Sequence, residues 1–188
     1  MPLSDDRLRS ALDPLETAWP PRRPGSAVRD AAVLVPWFTR AGEDRILYTL
    51  RCRDLPAHGG EVSFPGGARE DDEDALACAL RETREEIGID GRAFTPLGTL
   101  PGRESIHGFA VRVFVARLAV PFSCRPDPSE VDSVLELSVE ELRDEDRWEW
   151  RTLGAPPRAR RIPFFAINGG VQLWGLTALL TRDLLARV

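Results

Sequence analysis

Residues 67–89, GAREDDEDALACALRETREEIGI, constrain this chain more than any other stretch. Glu82, Glu85 and Glu86 stand at i, i+3 and i+4, which puts three carboxylates on one helical face about a turn apart. Like charges at that spacing repel, so a solvated helix gains nothing from them. A hard divalent cation with oxygen ligands, Mg²⁺ or Mn²⁺, turns the repulsion into a site. The plainer alternative is an acidic surface paired with Arg81 and Arg84, gaining a few tenths of a kcal/mol per pair. The boundaries of the segment favour the site. Asp71 and Asp72 are the expected N-caps, with Glu73 and Asp74 at the positive end of the helix dipole. Leu76, Leu80, Thr83 and Ile87 form the expected buried stripe, and Gly88 ends the helix. Acidic and apolar faces are thus separated on a short helix reached through the turn Phe64-Pro65-Gly66-Gly67.

The segment resembles the Nudix box, G-x5-E-x7-R-E-U-x-E-E-x-G-U with U apolar. Gly67, Glu73, Arg81, Glu82, Glu85, Glu86, Gly88 and Ile89 occupy its specified positions, and Thr83 replaces the usual aliphatic residue. The resemblance implies an α+β fold, a Nudix-type α/β/α sandwich with a mixed β-sheet and a loop-helix-loop catalytic motif. It implies a metal-dependent hydrolase of a nucleoside diphosphate linked to another group. Glu82, Glu85 and Glu86 are then the ligands of Mg²⁺ or Mn²⁺, with a backbone carbonyl of Gly66 or Gly67 beside them. Glu73 is an outer partner and Arg81 an orienting ion pair. The physics agrees, because a diphosphate must have its charge neutralised before water attacks phosphorus. An always-charged Arg81 can hold a carboxylate bidentately.

The residues upstream narrow the substrate. Residues 47–67, LYTLRCRDLPAHGGEVSFPGG, are similar to the signature of the coenzyme A pyrophosphatase branch. Leu47, Thr49, Arg51, Gly60, Phe64, Pro65, Gly66 and Gly67 agree with it, whereas Tyr48, Cys52 and Pro56 depart. The runs Asp127-Pro128-Ser129-Glu130-Val131 and Trp174-Gly175-Leu176-Thr177-Ala178 resemble further stretches of that branch. The implied reaction is hydrolysis of coenzyme A or its thioesters to 3′,5′-ADP and (acyl-)4′-phosphopantetheine. The departures keep ADP-ribose, NADH and dinucleoside polyphosphates open as substrates of the same chemistry. A non-catalytic nucleotide sensor is the alternative from another class, and the intact set of box glutamates speaks against it.

Coenzyme A carries a 3′-phosphate besides its diphosphate, so its pocket needs fixed cations. The chain has no lysine, and arginine suits planar, bidentate phosphate contacts. Arg51 and Arg53, at the end of a strand leading into the glycine turn, are the expected contacts, with Arg103 and His58 as further candidates. Pairing with the surplus acid is the competing reading for these arginines. For the group that deprotonates or orients water, the box glutamates are candidates, and among carboxylates outside the box Glu130 is preferred over Glu104.

Composition sets limits on the rest. A length of 188 residues fits one domain, with residues 1–26 read as an N-terminal helix and linker and 27–188 as the hydrolase domain. A net charge of -5 without a basic patch argues against nucleic acid, leaving a small molecule as the partner of a monomer or homodimer. Asp5 and Asp6 stand where a signal peptide would be basic or apolar, and no apolar run suits a membrane, so the expected location is cytoplasmic. Cys52, Cys78 and Cys124 are odd in number and lack C-x-x-C spacing, which disfavours disulfides and zinc. Cys78 is expected to pack as a small apolar residue.

Periodicity supplies the elements. Leu8, Leu12, Leu15 and Trp19 fit one face of a helix ended by Pro20-Pro21. Residues 31–38 and 45–51 read as strands, with Pro36 marking a bulge or an edge. Strands at 94–100 and 106–118 follow the box helix, the second with Val111, Val113 and Val115 opposite Arg112, Phe114 and Ala116. Residues 131–137 read as a strand, 139–142 as a short helix and 143–161 as a polar loop. A hairpin at 162–166 and 171–173, then a helix over 174–186, complete the chain.

Overall fold

Strand β1 (Arg29–Arg40) organises the main sheet in the computed structural model, which describes residues 1–21, 27–55, 59–70, 72–155, 157 and 159–188. Along one edge β1 runs parallel to β6 (Phe109–Leu118), with Ala31 beside Val111 and Trp37 beside Arg117. Along the other edge it changes partner. Trp37 to Arg40 pair antiparallel with β2 (Glu43–Arg51), whereas Ala31, Ala32 and Val33 pair with β4 (Gly66–Ala68). Strand β2 likewise leaves β1 after Ile46, and Thr49 and Leu50 pair with β3 (Val62–Ser63). The outer edges stay closed by β5 (Phe94–Glu104) on β6 and β7 (Val131–Ser138) on β2. The result is a mixed seven-stranded sheet, split between β1 and β2 and wedged open by the glycine turn.

Pro36 sits in this interior strand rather than at an edge or bulge. The Leu34 amide donates to the Pro65 carbonyl, and two residues on the Pro36 nitrogen faces the same side, where β1 switches from β4 to β2. No ladder hydrogen bond is asked of it there, which is what proline requires.

Side chains alternate between two cores. Val35, Trp37, Ile46, Tyr48, Val111, Val113 and Val115 join one, and Leu34, Phe38, Leu47, Phe114, Ala116 and Leu118 the other. The second core is covered by α2 (Ala75–Ile87) through Ala75, Cys78, Ala79 and Ile87. The first is covered by α1 (Asp5–Ala11), α3 (Val139–Arg143) and α4 (Gly175–Leu185). The antiparallel sheet β8 (Trp148–Leu153), β9 (Arg160–Ala166) and β10 (Gln172–Trp174) packs there too. Helices therefore flank both faces, the expected α/β/α arrangement. Tyr48, one of the departures noted above, is fully buried and ties the layers together. Its ring stacks on Phe64 at 4.9 Å, and its hydroxyl meets Thr181 of α4 at 3.0 Å.

Two further expectations fail. The first helix stops at Ala11 instead of Pro20, because Asp13 and Thr99 exchange backbone hydrogen bonds of 3.0 Å that hold the chain extended. Leu8 is buried in the first core while Leu15 is exposed. The segment expected as a polar loop contains β8, where Trp148, Trp150 and Thr152 alternate with Glu149, Arg151 and Leu153. Among the described residues, no helix is long and apolar enough to cross a membrane.

Candidate active site

Helix α2 carries the acidic face. Its N-cap is Asp74, whose carboxylate accepts from the Ala77 amide at 2.8 Å. This corrects the expectation for Asp71 and Asp72: Asp71 lies outside the described residues, and Asp72 has a left-handed φ of 65° in the turn before the helix. The carboxylate of Glu73, the residue before the Asp74 cap, accepts from Arg81 and the Glu70 amide. The buried face is Ala75, Cys78, Ala79, Thr83, Glu86 and Ile87, with Leu76 and Leu80 only partly covered. Small residues at 75, 78 and 79 let α2 lie close against β1 and β4. The buried Thr83 hydroxyl donates to the Ala79 carbonyl at 2.6 Å, so its polarity is satisfied within the helix. Gly88 closes the helix at φ 72°, its amide bound to the Arg84 carbonyl.

Glu86 projects into the split in the sheet. It is 2 % exposed, with Oε2 accepting from the Gly66 amide at 3.2 Å and Oε1 from Arg51 Nη1 at 3.3 Å. Burial outweighs both donors and pushes the carboxyl up to about 8. Glu82, partly buried, is also shifted upward by desolvation, against the pull of Arg81. Gly67 is the floor beneath it. A Cβ there would stand 2.3 Å from Glu82 Oε2. Glu85 is the outermost of the three, with its side chain 60 % exposed.

Arg81 is the hub. Its Nε and Nη2 hold the two oxygens of Glu73 at 3.0 and 2.8 Å, and Nη2 also donates to the Ala68 carbonyl at 3.1 Å. Its Nη1 bridges Glu82 at 2.8 Å and Glu85 at 3.0 Å. The guanidinium holds the Glu73 carboxyl down to about 2, well below the usual carboxylate range. Among the described residues no three acidic, histidine or cysteine side chains converge at metal-ligand distance, since Arg81 stands between Glu82 and Glu85.

The Asp127 and Arg125 amides donate to the carbonyls of Glu86 and Ile87, so the following loop is fastened to the end of α2. That loop delivers Glu130, which is exposed but close enough for its charge to raise both Glu82 and Glu86. The Glu130 carbonyl accepts from the Cys52 amide at 2.9 Å, joining the loop to the end of β2.

Arg51 is brought to the acids, and its Nε is buried without an acceptor among the described residues. Arg53 is exposed on the turn beyond it. Arg103 is not in a turn facing the acids. It extends β5 and pairs with Asp183 of α4, on the opposite face of the sheet from α2. His58 and Pro56 lie outside the described residues. Cys78 packs in the second core as expected, and its thiol also lies 3.5 and 3.7 Å from the Ala68 and Gly67 carbonyls. Burial and the neighbouring Glu73 charge push that thiol up to about 12, so it stays protonated and able to donate. Its place four residues before Glu82, on the same face, was the available signal.

The sequence model of the NUDIX domain matches residues 28–155. The chain belongs to the Nudix family. It is 33% identical over 161 residues to the uncharacterized Nudix hydrolase NudL of Cronobacter sakazakii, covering 85% of this chain and 83% of the relative. The protein of the same name from Photorhabdus laumondii is 31% identical over 170 residues, 90% of each chain. Among solved structures, a Caenorhabditis elegans Ap4A hydrolase binary complex is similar at TM-score 0.52 and 26% identity, covering 61% of this chain and 82% of that one. A MutT/nudix family protein from Enterococcus faecalis shares the fold at TM-score 0.58 and 17% identity, over 90% of this chain and 64% of that one. In this Nudix hydrolase, then, the arginine-laced acids of α2 and the glycine turn in the split sheet belong to an enzyme acting on a pyrophosphate bond.

Proposed function

We propose that this Nudix hydrolase cleaves the diphosphate of coenzyme A or its thioesters, yielding 3′,5′-ADP and (acyl-)4′-phosphopantetheine. The observation that carries the reading is the meeting of Arg51, from the coenzyme A-type signature, with Glu86 of the box across the wedge formed by Gly66. The donor set fits Mg²⁺ or Mn²⁺, since it is all oxygen and includes a buried carboxylate whose charge one amide and one guanidinium leave under-compensated. Glu82, Glu85 and Glu86 with the Gly67 carbonyl would hold the ion, and the exposure of Glu85 leaves it free to turn away from Arg81. Such an ion, when bound, neutralises the diphosphate and acidifies the attacking water.

The chain's own groups do the rest. Arg81 keeps Glu73 and Glu82 in register, and Glu130 accepts the proton of water from the loop fastened to α2. Arg51 and Arg53 supply the cations for the phosphate oxygens. Residues 27–188 are the hydrolase domain, working in the cytoplasm on a small molecule.

Incubation with Mg²⁺ or Mn²⁺ and chromatography of the products tests this. Coenzyme A should be cleaved roughly tenfold or more faster than its form lacking the 3′-phosphate, the worth of one charge-assisted hydrogen bond. Equal rates would mean that no 3′-phosphate pocket exists, and no cleavage with either ion would defeat the proposal. The likeness to the Ap4A hydrolase favours a dinucleoside polyphosphate as the second substrate to assay. A separate expectation concerns the hub. Arg81→Lys replaces a planar fork by a point charge that cannot hold Glu73 and bridge Glu82 to Glu85 together. Initial rates should fall on the order of 10- to 100-fold, as for other supports of metal ligands.

A further inference from the structure

The segment before residue 28, where the family match begins, reaches the acidic helix. From α1 it passes along β5 and β6, held by the Asp13–Thr99 bridge, by Thr99 Oγ1 donating to the Pro14 carbonyl at 3.1 Å, and by Arg112 on the Glu16 carbonyl at 2.8 Å. It then crosses to the start of α2. There the Thr17 carbonyl accepts from the Ala75 amide at 2.8 Å, taking one of the donors that a helix leaves unsatisfied in its first turn. Trp19 Nε1 donates to the Glu73 carbonyl at 2.7 Å. The indole packs on the second core, and the Arg69 guanidinium lies 5.3 Å from its ring.

One hydrogen bond lands on the first residue of α2 and the other on Glu73 itself, two residues before it. The indole N–H fixes the backbone of Glu73, the Glu73 carboxylate holds Arg81 by two oxygens, and Arg81 sets Glu82 and Glu85. We infer that Trp19 is a positioning residue for the carboxylate cluster, acting through Glu73 and Arg81 from a strap outside the Nudix domain. This rests on the metal-site reading above.

Mn²⁺ titration followed by electron paramagnetic resonance, without substrate, tests it. Trp19→Phe keeps a smaller aromatic ring beside Arg69 and lacks the indole donor. Mn²⁺ affinity should weaken on the order of fivefold, a neutral hydrogen bond's worth. Glu73→Gln should weaken it too, and the double variant should bind no worse than Glu73→Gln alone, because Trp19 acts through that carboxylate. Unchanged affinity in Trp19→Phe overturns the inference, as do losses that simply add in the double variant. If the unaltered chain takes up no Mn²⁺, the metal reading falls and the inference with it. Uptake by the unaltered chain with no effect of Trp19→Phe defeats the strap alone.

Discussion

Glu86→Gln should all but abolish turnover while removing an alkaline weakness of the metal-free protein. The loss of rate follows from its place as the buried carboxylate of the proposed metal set. A missing ligand is worth several kcal/mol of transition-state stabilisation, or roughly a thousandfold in rate. The stability effect has a definite sign. The folded carboxyl is pushed from 4.5 up to about 8, so the folded chain keeps a proton that the unfolded chain gives up. Glu86 therefore contributes its full stability below pH 4.5 and loses it as the pH rises through about 8. Glutamine has no proton to lose. Urea midpoints of the two metal-free proteins, measured at about pH 5 and about pH 9, should show the wild type losing ground to the variant at the higher pH. Added Mg²⁺ or Mn²⁺ should restore the wild type and leave the variant nearly unmoved. A midpoint difference independent of pH would mean that Glu86 is not the buried charge described.

Gly66→Ala should be the most damaging change to the fold. Gly66 has φ 148°, a conformation side chains rarely adopt. A Cβ would stand 2.3 Å from the Ala32 carbonyl oxygen and 2.6 Å from Val33 Cα. These are backbone atoms of β1, so neither can swing aside. Either the wedge withdraws from β1, taking the Gly66 amide from Glu86, or β1 bends. We expect a loss of about 3 kcal/mol or more in urea unfolding. A midpoint close to that of the wild type would show a looser wedge. Gly67→Ala makes the contrast. Its Cβ would meet the carboxylate of Glu82 at 2.3 Å, the far end of a flexible side chain, so the protein should fold but hold its metal poorly.

What the sequence made legible was whatever local chemistry dictates. The alternation at 111–118 placed β6 in two cores, the glycine at 88 closed the helix, and the acidic spacing put Glu82, Glu85 and Glu86 on one helix. Distant partners hid the rest. In the acidic run 70–74 the sequence does not mark which aspartate caps the helix, and Asp74 does so while Glu73 turns to Arg81. Leu12 and Leu15 keep a helical spacing that the pairing of Asp13 with Thr99 overrules. Arg51 and Arg103 are both candidate phosphate contacts in the sequence, yet one meets Glu86 and the other Asp183 on the far side of the sheet. The alternation in β8 was present but obscured by the charged residues around it.

The wedge between β1 and β2 ties the proposed site to long-range sheet pairing. Its walls depend on separate long-range pairings, Ala31 with Val111 on one side and Ile46 with Leu137 on the other. Contacts so distant along the chain close loops at an entropic cost and form slowly. Both walls of the proposed metal site depend on these distant pairings, so divalent-ion uptake should report on complete folding.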